Sequence, residues 1–274
     1  EASVVLKKNN IKTAQLDSEI LMSYVIKKDS KYIILNYDKI LYPNNIRIYK
    51  KLISERAKGK PIAYLIGKKD FWKHKFYITK DVLIPRPDTE LIVEQVLKMT
   101  KNKFKLNFLD IGVGSGCVIL SILKEKKDFY GTGIDISKKC LDVCKINTLE
   151  LGLSNRIKFF KSDIDNFAKG KYDLIISNPP YIKKLDLRYL EKDVIKFEPK
   201  LALDGGLDGI SEIRKVIKKS SELIKNGGKL ILEIAFNQKK EVKQLLRKNS
   251  FYINSVVKDL GKNDRCIIST KIEK

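Results

Sequence analysis

Leu109-Asp110-Ile111-Gly112-Val113-Gly114-Ser115-Gly116 is the stretch on which the fold turns. Its first residues read as the end of a buried strand, and the alternating glycines lead into an apolar helical run. Glycines at such a point permit a tight turn and let a ligand approach the backbone closely. A Gly-x-Gly-x-Gly string alone is a weak signal, and a nucleoside diphosphate site is its natural competitor. Asp110 argues against that competitor, because a carboxylate at the mouth of the turn repels a pyrophosphate and attracts a cation. No Gly-Lys-Ser/Thr follows, which excludes a P-loop.

Outward from this stretch the chain alternates strand and helix from about residue 104. Strands are expected at 106–111, 130–135, 156–161, 172–177 and 229–235, and helices at 115–126, 137–151, 208–225 and 237–249. That is the pattern of an α/β fold with a parallel, doubly wound sheet. The end differs: 251–257 and 265–271 are two strands joined by Gly261-Lys262-Asn263-Asp264, too close for a helix between them, so this pair is expected to be antiparallel. Upstream, residues 1–65 read as helical. Leu16, Ile20, Leu21, Tyr24 and Val25 recur at helical spacing, with Asp17 to Ser18 as the opening of that helix, and 46–57 shows the same period. Apolar runs at 71–79 and 82–84 around Lys80-Asp81 predict a β-hairpin. Pro85-Arg86-Pro87-Asp88-Thr89-Glu90 is then a rigid turn into a helix that starts at Asp88 or Thr89, with Arg86 and Glu90 able to pair.

Two further acids follow the glycine turn in order. Asp135 ends the next strand, nineteen residues after Gly116, where a carboxylate can take both hydroxyls of a ribose. Asp163 follows the third strand, where it can accept from an adenine amino group. Each alone serves equally well as a helix N-cap. Three at successive strand ends around a glycine turn describe a site for a cationic adenosine ligand, and S-adenosylmethionine fits. The fourth strand, 172–177, runs directly into Asn178-Pro179-Pro180-Tyr181. Asn178 offers a side-chain carbonyl and Pro179 a free backbone carbonyl, so the two can take both protons of a planar –NH2 group. Pro180 stiffens the turn, and Tyr181 supplies an aromatic face. This chemistry stops at a planar amino group, whether on a nucleobase or an amide.

The bulk composition is compatible with that reading. At 274 residues, with 43% hydrophobic content, the chain has room for one large domain or one plus a smaller one. No apolar stretch approaches the ~18 residues of a membrane span. No basic start followed by an apolar core is visible, so no signal peptide is expected, and the absence of a starting methionine suggests a trimmed or partial chain. Cys117, Cys140, Cys144 and Cys266 form no Cys-x-x-Cys pair, and with His74 the single histidine no metal site is expected; scattered thiols suit a reducing cytoplasm. The net charge is +23, built from 48 Lys and 8 Arg against 33 acids. A basic surface favours phosphate-rich partners. Specific readers of nucleic acid, however, lean on Arg, and Lys excess also follows from AT-rich coding. Residues 1–80 carry 18 basic and 7 acidic side chains, so the helical N-terminal part is the more basic one.

Further strings narrow the class. Phe71-Trp72, Leu83-Ile84-Pro85-Arg86-Pro87-Asp88-Thr89-Glu90, Asn178-Pro179-Pro180-Tyr181, Phe197-Glu198-Pro199-Lys200-Leu201-Ala202-Leu203, Gly205-Gly206-Leu207-Asp208-Gly209, Glu233 and Asp264-Arg265 together resemble the HemK-type release factor glutamine methyltransferases, within the class I S-adenosylmethionine-dependent superfamily. The resemblance covers essentially the whole chain. It implies a seven-stranded Rossmann-like sheet with a helical substrate-binding domain at 1–69, a hairpin linker at 70–87 and a catalytic domain at 88–274. It implies S-adenosylmethionine held by Asp110, Gly112, Val113, Gly114, Ser115, Gly116, Asp135, Asp163, Ile164 and Asn178. Asn178, Pro179, Pro180 and Tyr181 would hold the substrate amide, with Phe71 as a second wall; Asn178, Pro179 and Tyr181 would be catalytic. The expected substrate is the Gly-Gly-Gln glutamine of a class I peptide chain release factor, taken by a cytoplasmic monomer that needs no nucleic acid or membrane. The family often has glycine at the position of Ala235, and some relatives carry an aromatic where this chain has Ile164. The alternatives are a DNA adenine amino methyltransferase and a non-catalytic basic protein that binds RNA or the ribosome.

Overall fold

A computed structural model describes residues 1–273. The chain forms two compact units, one of Glu1–Lys68 with Glu191–Phe197, the other of Lys69–Leu190 and the chain from Glu198 on. The first unit is helical: α1 (Ala2–Lys8), α2 (Ala14–Ile26), α3 (Ser30–Leu35), α4 (Pro43–Ala57) and α5 (Ile62–Ile66). Leu6, Ala14, Leu21 and Ile53 form its core. The sequence placed the start of α2 at Asp17; it starts at Ala14, and Asp17 lies inside it. There the carboxylate accepts from Arg56 Nε at 2.7 Å, with the side chains only 7% and 10% exposed. Arg56 also donates to the carbonyls of Gly59 and Lys60, so α4 and its following turn close on α2 through one buried guanidinium. An acid that looks like an N-cap is therefore a core partner, while Leu16 and Tyr24, which share the helical spacing of the buried Leu21, are exposed.

A two-stranded hairpin, β1 (Lys68–Phe71) and β2 (His74–Tyr77), begins at the last residue of the first unit and opens the second. The sequence put the hairpin turn at Lys80-Asp81, but the turn is Trp72-Lys73, with Trp72 at φ 54°. Tertiary anchors hold this left-handed conformation, which tryptophan rarely adopts. The Trp72 amide donates to Glu90 Oε1 at 2.7 Å, and its indole N–H donates to Glu125 Oε1 at 2.9 Å. Glu90 therefore serves Trp72 rather than Arg86, which pairs instead with the buried Glu198. A single 3-10 turn, Pro87–Thr89, leads into α6 (Glu90–Met99).

The remainder is β3 (Leu106–Ile111), α7 (Cys117–Glu125), β4 (Phe129–Asp135), α8 (Lys138–Glu150), β5 (Ile157–Lys161), β6 (Tyr172–Ser177), α9 (Lys192–Phe197, in the helical unit), α10 (Ser211–Leu223), β7 (Ile224–Glu233), α11 (Lys239–Lys248), β8 (Phe251–Lys258) and β9 (Asp264–Lys271). The sheet has seven strands in the order β5-β4-β3-β6-β7-β9-β8. β3 to β7 are mutually parallel, and β9 runs antiparallel to both β7 and β8, as expected from the short link between the last two strands. β3 and β6 are almost wholly buried, in keeping with the continuous apolar runs of strands covered on both faces. β7 is longer than expected at its start and ends at Glu233 rather than 235, because the chain already turns at Ala235 to Gln238. Leu109, Ile175, Leu230, Ile213 and Val242 belong to the core cluster that fixes the sheet against its helices.

Candidate active site

The strand order creates the site. From β3 the chain moves outward through β4 to β5, then returns to lay β6 on the other side of β3. At such a reversal the loops leaving neighbouring strands diverge, and a crevice opens at the carboxyl ends. The sequence elements converge there: the glycine turn after β3, Asp135 ending β4, Asp163 beyond β5, and Asn178 after β6.

Gly112, Gly114 and Gly116 all take left-handed backbone, at φ 76°, 54° and 82°. Gly116 is also constrained by space, since a Cβ there would lie 2.4 Å from Cys144 Sγ. A Cβ built on Gly112 would meet no atom within 4 Å, so the turn faces open space. The Gly114 amide donates to Asp135 Oδ2 at 3.0 Å and the Ser137 amide to Oδ1 at 2.9 Å. A carboxylate can accept about four hydrogen bonds. Asp135 is thus aimed by the turn and keeps acceptor capacity for a diol. Val113 is buried, its amide bonded to the Ile134 carbonyl, and Ser115 is buried with its carbonyl held by Asn147. Leu83, Pro85, Arg86 and Thr89 share one cleft with Asp110, the glycine turn and Asn178. A larger depression in the helical unit, about 260 Å³, is lined by Met22, Tyr32, Tyr37 and Ile40 and by no acid, which does not suit a cationic ligand.

Asp110 departs from the sequence expectation of a standing negative charge. It is 4% exposed, and burial followed by repulsion from Asp135 pushes its carboxyl up to about 8. Near neutrality the acid is mostly protonated, and a cation arriving beside it would favour ionisation. Burial also raises Asp135, opposed by the Ser137 and Gly114 amides. Asp163 Oδ1 caps a short 3-10 turn through the Asp165 amide, and Ile164 is buried in the core cluster. Acid, diol acceptor and open glycine backbone together make a donor set that fits S-adenosylmethionine.

At the other side of the crevice, Asn178 Nδ2 donates to Thr89 Oγ1 at 3.1 Å. That bond ties down the amino end of the amide and leaves the oxygen as the end offered outward. Asn178, Pro180 and Tyr181 are half-buried and Pro179 is buried. Gln238 staples the segment: its side-chain amide donates to the carbonyls of Tyr181 and Gly209 at 2.9 Å each, while its oxygen accepts from the Ala235 amide. Gly205 presses against it, since a Cβ there would lie 2.9 Å from the Tyr181 backbone. Tyr181 Oη donates to Glu233 Oε1 at 3.4 Å.

Phe71, expected as a second wall, is 1% exposed and packs edge-on against Phe76 with ring centroids 6.2 Å apart. It belongs to the hairpin core and offers no face to a substrate. Thr89, Gln238, Asn147 and Glu198 are contributors to the site that sequence reasoning did not assign. Asn147 donates to the Ser115 and Tyr77 carbonyls and accepts from the Tyr77 amide, so it joins the hairpin to the glycine turn. Glu198 accepts from Arg86 and from the Ile84 amide. No local pattern marks such residues, since their partners are far away in the chain.

A seven-stranded sheet with an antiparallel last pair, glycine turn and ordered acids defines the class I S-adenosylmethionine-dependent methyltransferases. The fold is similar to that of a ribosomal protein L11 methylase from Lactobacillus delbrueckii subsp. bulgaricus, with TM-score 0.54 and 18% identity over 70% of this chain and 82% of that one. Residues 1–67 match the PrmC N-terminal domain, and residues 87–207 match the methyltransferase small domain. The release factor glutamine methyltransferase of Buchnera aphidicola subsp. Acyrthosiphon pisum is 35% identical over 270 residues, 98% of this chain and 96% of that protein. The bifunctional methyltransferase of Rickettsia felis is 33% identical over 300 residues; the match takes in 99% of this chain but only 57% of that longer protein. The chain belongs to the release factor glutamine methyltransferase family.

Proposed function

We propose that this protein transfers the methyl group of S-adenosylmethionine to the side-chain amide nitrogen of the glutamine in the Gly-Gly-Gln motif of a class I peptide chain release factor, in support of translation termination. The observation that carries the reading is the Asn178 amide, held by Thr89 with its oxygen outward at the edge of the cofactor crevice. Family membership favours a protein amide over a nucleobase.

When bound, the cofactor supplies an electrophilic methyl on a sulfonium. Asp135 would take the ribose hydroxyls, Asp163 the adenine amino group, and Asp110 would face the cationic end, with Gly112, Val113, Gly114, Ser115, Gly116 and Ile164 lining the way. An amide nitrogen is a poor nucleophile, since its lone pair is delocalised into the carbonyl. The chain's task is therefore orientation, which can be worth up to ~7–11 kcal/mol in ideal systems. Asn178 Oδ1 and the Pro179 carbonyl accept the two amide N–H groups and favour the positive charge that grows on nitrogen. Pro180 holds the turn, and Tyr181 steadies the amide plane. The Asn-Pro-Pro-Tyr segment itself holds no base, so the proton passes from nitrogen to water after transfer.

We assign substrate binding to residues 1–69, linkage to 70–87 and catalysis to 88–274, in line with family matches that end at 67 and resume at 87. Exposed Tyr37, Ile40 and Tyr42 beside Lys28 and Lys39 give the helical unit an apolar, basic surface suited to a protein partner. The reading takes the protein as a monomer, and a cytoplasmic setting follows from the substrate. No helix among the described residues is long and apolar enough to cross a membrane. The test is to incubate the protein with labelled cofactor and, separately, a purified release factor and duplex DNA. Label on the release factor alone is expected; label on DNA alone would overturn the choice of substrate.

A further inference from the structure

Gly205-Gly206-Leu207-Asp208-Gly209 is a motif that the proposed reaction does not use. It packs against the chain that leaves the substrate segment. The Ile182 amide donates to the Leu203 carbonyl, the Gly205 amide to the Ile182 carbonyl and the Lys184 amide to the Gly206 carbonyl, so a short parallel ladder begins one residue after Tyr181. Gly205 and Gly209 are buried. A Cβ on Gly205 would lie 2.9 Å from the Tyr181 backbone, and one on Gly209 would lie 3.0 Å from the Tyr181 carbonyl oxygen and 3.2 Å from Gln238 Nε2. Side chains are therefore missing from the motif where it meets Tyr181 and Gln238.

Gln238 closes this junction. It is 4% exposed and stands at the N-cap of α11, where a short oxygen-bearing side chain is usual, yet its own side chain does not cap that helix. It reaches away instead. Its amino group donates to the Tyr181 and Gly209 carbonyls at 2.9 Å each, and its oxygen accepts from the Ala235 amide at 3.0 Å. The Gln238 backbone amide donates to the Ala235 carbonyl, so the turn after β7 is closed on both sides. One buried side chain thus joins the exit from β6, the entry to α10 and the turn after β7. Hydrogen bonds of this kind add little net stability, but a fully satisfied buried network fixes a single geometry.

We propose that Gln238 is a positioning residue for methyl transfer: backed by the Gly205–Gly209 motif, it holds the Tyr181 backbone so that the Pro179 carbonyl and the Tyr181 ring meet the substrate amide in register. The proposal rests on the amide-methylating function above. The lever between the held atom and the working atom is short and stiff. The peptide between Pro179 and Pro180 is planar, and the Pro180 ring fixes its own φ. A displacement of the Tyr181 carbonyl therefore passes to the Pro179 carbonyl with little slack. A misplacement of about 1 Å at a reacting centre can cost about 10²-fold in rate.

The test measures kcat and KM for a purified release factor, with calorimetric cofactor affinity, in Gln238→Met, Gly205→Ala and Ser269→Ala. Gln238→Met keeps an unbranched side chain and gives up all three side-chain bonds. Gly205→Ala keeps Gln238 and presses on the Tyr181 backbone from the motif. Each is expected to lower kcat about 10–100-fold, with KM and cofactor affinity within about two-fold of the wild type. Ser269→Ala removes a bond of similar burial inside the sheet, from the Ser269 hydroxyl to the Leu230 carbonyl, and should keep the wild-type kcat. Should Gln238→Met fail to fold, Gly205→Ala carries the test. Wild-type kcat in either of these two variants, a fall in the cofactor affinity of Gly205→Ala in step with its kcat, or an equal kcat loss in Ser269→Ala would overturn the inference alone. A wild type that leaves the release factor unlabelled would overturn the functional reading and this inference with it.

Discussion

At the scale of single residues, the proposed reaction divides the work between Asn178 and Asp135, and their substitutions should separate. Asn178→Ala removes the proposed acceptor for the amide N–H, and its effect should fall on the step in which charge grows on nitrogen. A loss of about 10²–10³-fold in kcat is expected, with cofactor affinity little changed, measured by labelled-methyl transfer and calorimetry. Asp135→Ala removes the group that the Gly114 and Ser137 amides aim at the cleft, and should instead weaken cofactor binding. Near wild-type affinity in that variant would remove Asp135 from the cofactor site. Asp110 adds a pH signature. Its carboxyl lies at about 8 in the free protein, and a bound cation favours the ionised form. Binding near neutrality should therefore release a proton, and affinity should rise with pH up to about 8. Calorimetry in buffers of different ionisation enthalpy reads the proton directly, and its absence would mean that Asp110 does not face the cationic end.

At the scale of elements, the β3–turn–α7 unit and β6 with its following loop were legible in the sequence, because their signals are local. Apolar runs, alternating glycines and two prolines need no distant partner to be read. The hairpin was misplaced for the opposite reason. Trp72 at φ 54° is an unlikely turn residue on local grounds, and only Glu90 and Glu125 hold it there. Phe71 was misassigned with it: once β1 ends at Phe71, its ring falls into the hairpin core against Phe76. Asn147 is the link between this hairpin and the glycine turn, and it was invisible because its partners lie 70 and 32 residues away. Asn147→Ala leaves the buried Ser115 carbonyl and the half-buried backbone of Tyr77 unpaired, and a buried group left so costs about 1–3 kcal/mol. A loss of about 2–4 kcal/mol in urea unfolding is expected, and a change under about 0.5 would mean that water replaces the amide.

At the scale of the whole molecule, the helical unit and the catalytic unit have separate cores, and their stabilities are open to separate perturbation. Asp17→Ala strands the buried Arg56 guanidinium, a change that typically costs about 3–5 kcal/mol. Thermal unfolding should show the helical unit weakened, while cofactor affinity, which draws only on the other unit, stays at the wild-type value. A parallel fall in cofactor affinity would show that the two units depend on each other. The +23 charge, prominent in the sequence, identified no partner; the identification came from ordered side chains at strand ends and from family relationship. The central claim is that the reacting atom is an amide nitrogen, and fragmentation mass spectrometry of a release factor treated with the cofactor and this protein tests it most directly. A single methyl on the side-chain nitrogen of the Gly-Gly-Gln glutamine, lost with Asn178→Ala, is the predicted result; a methyl on any other residue, or equal incorporation by Asn178→Ala, would contradict it.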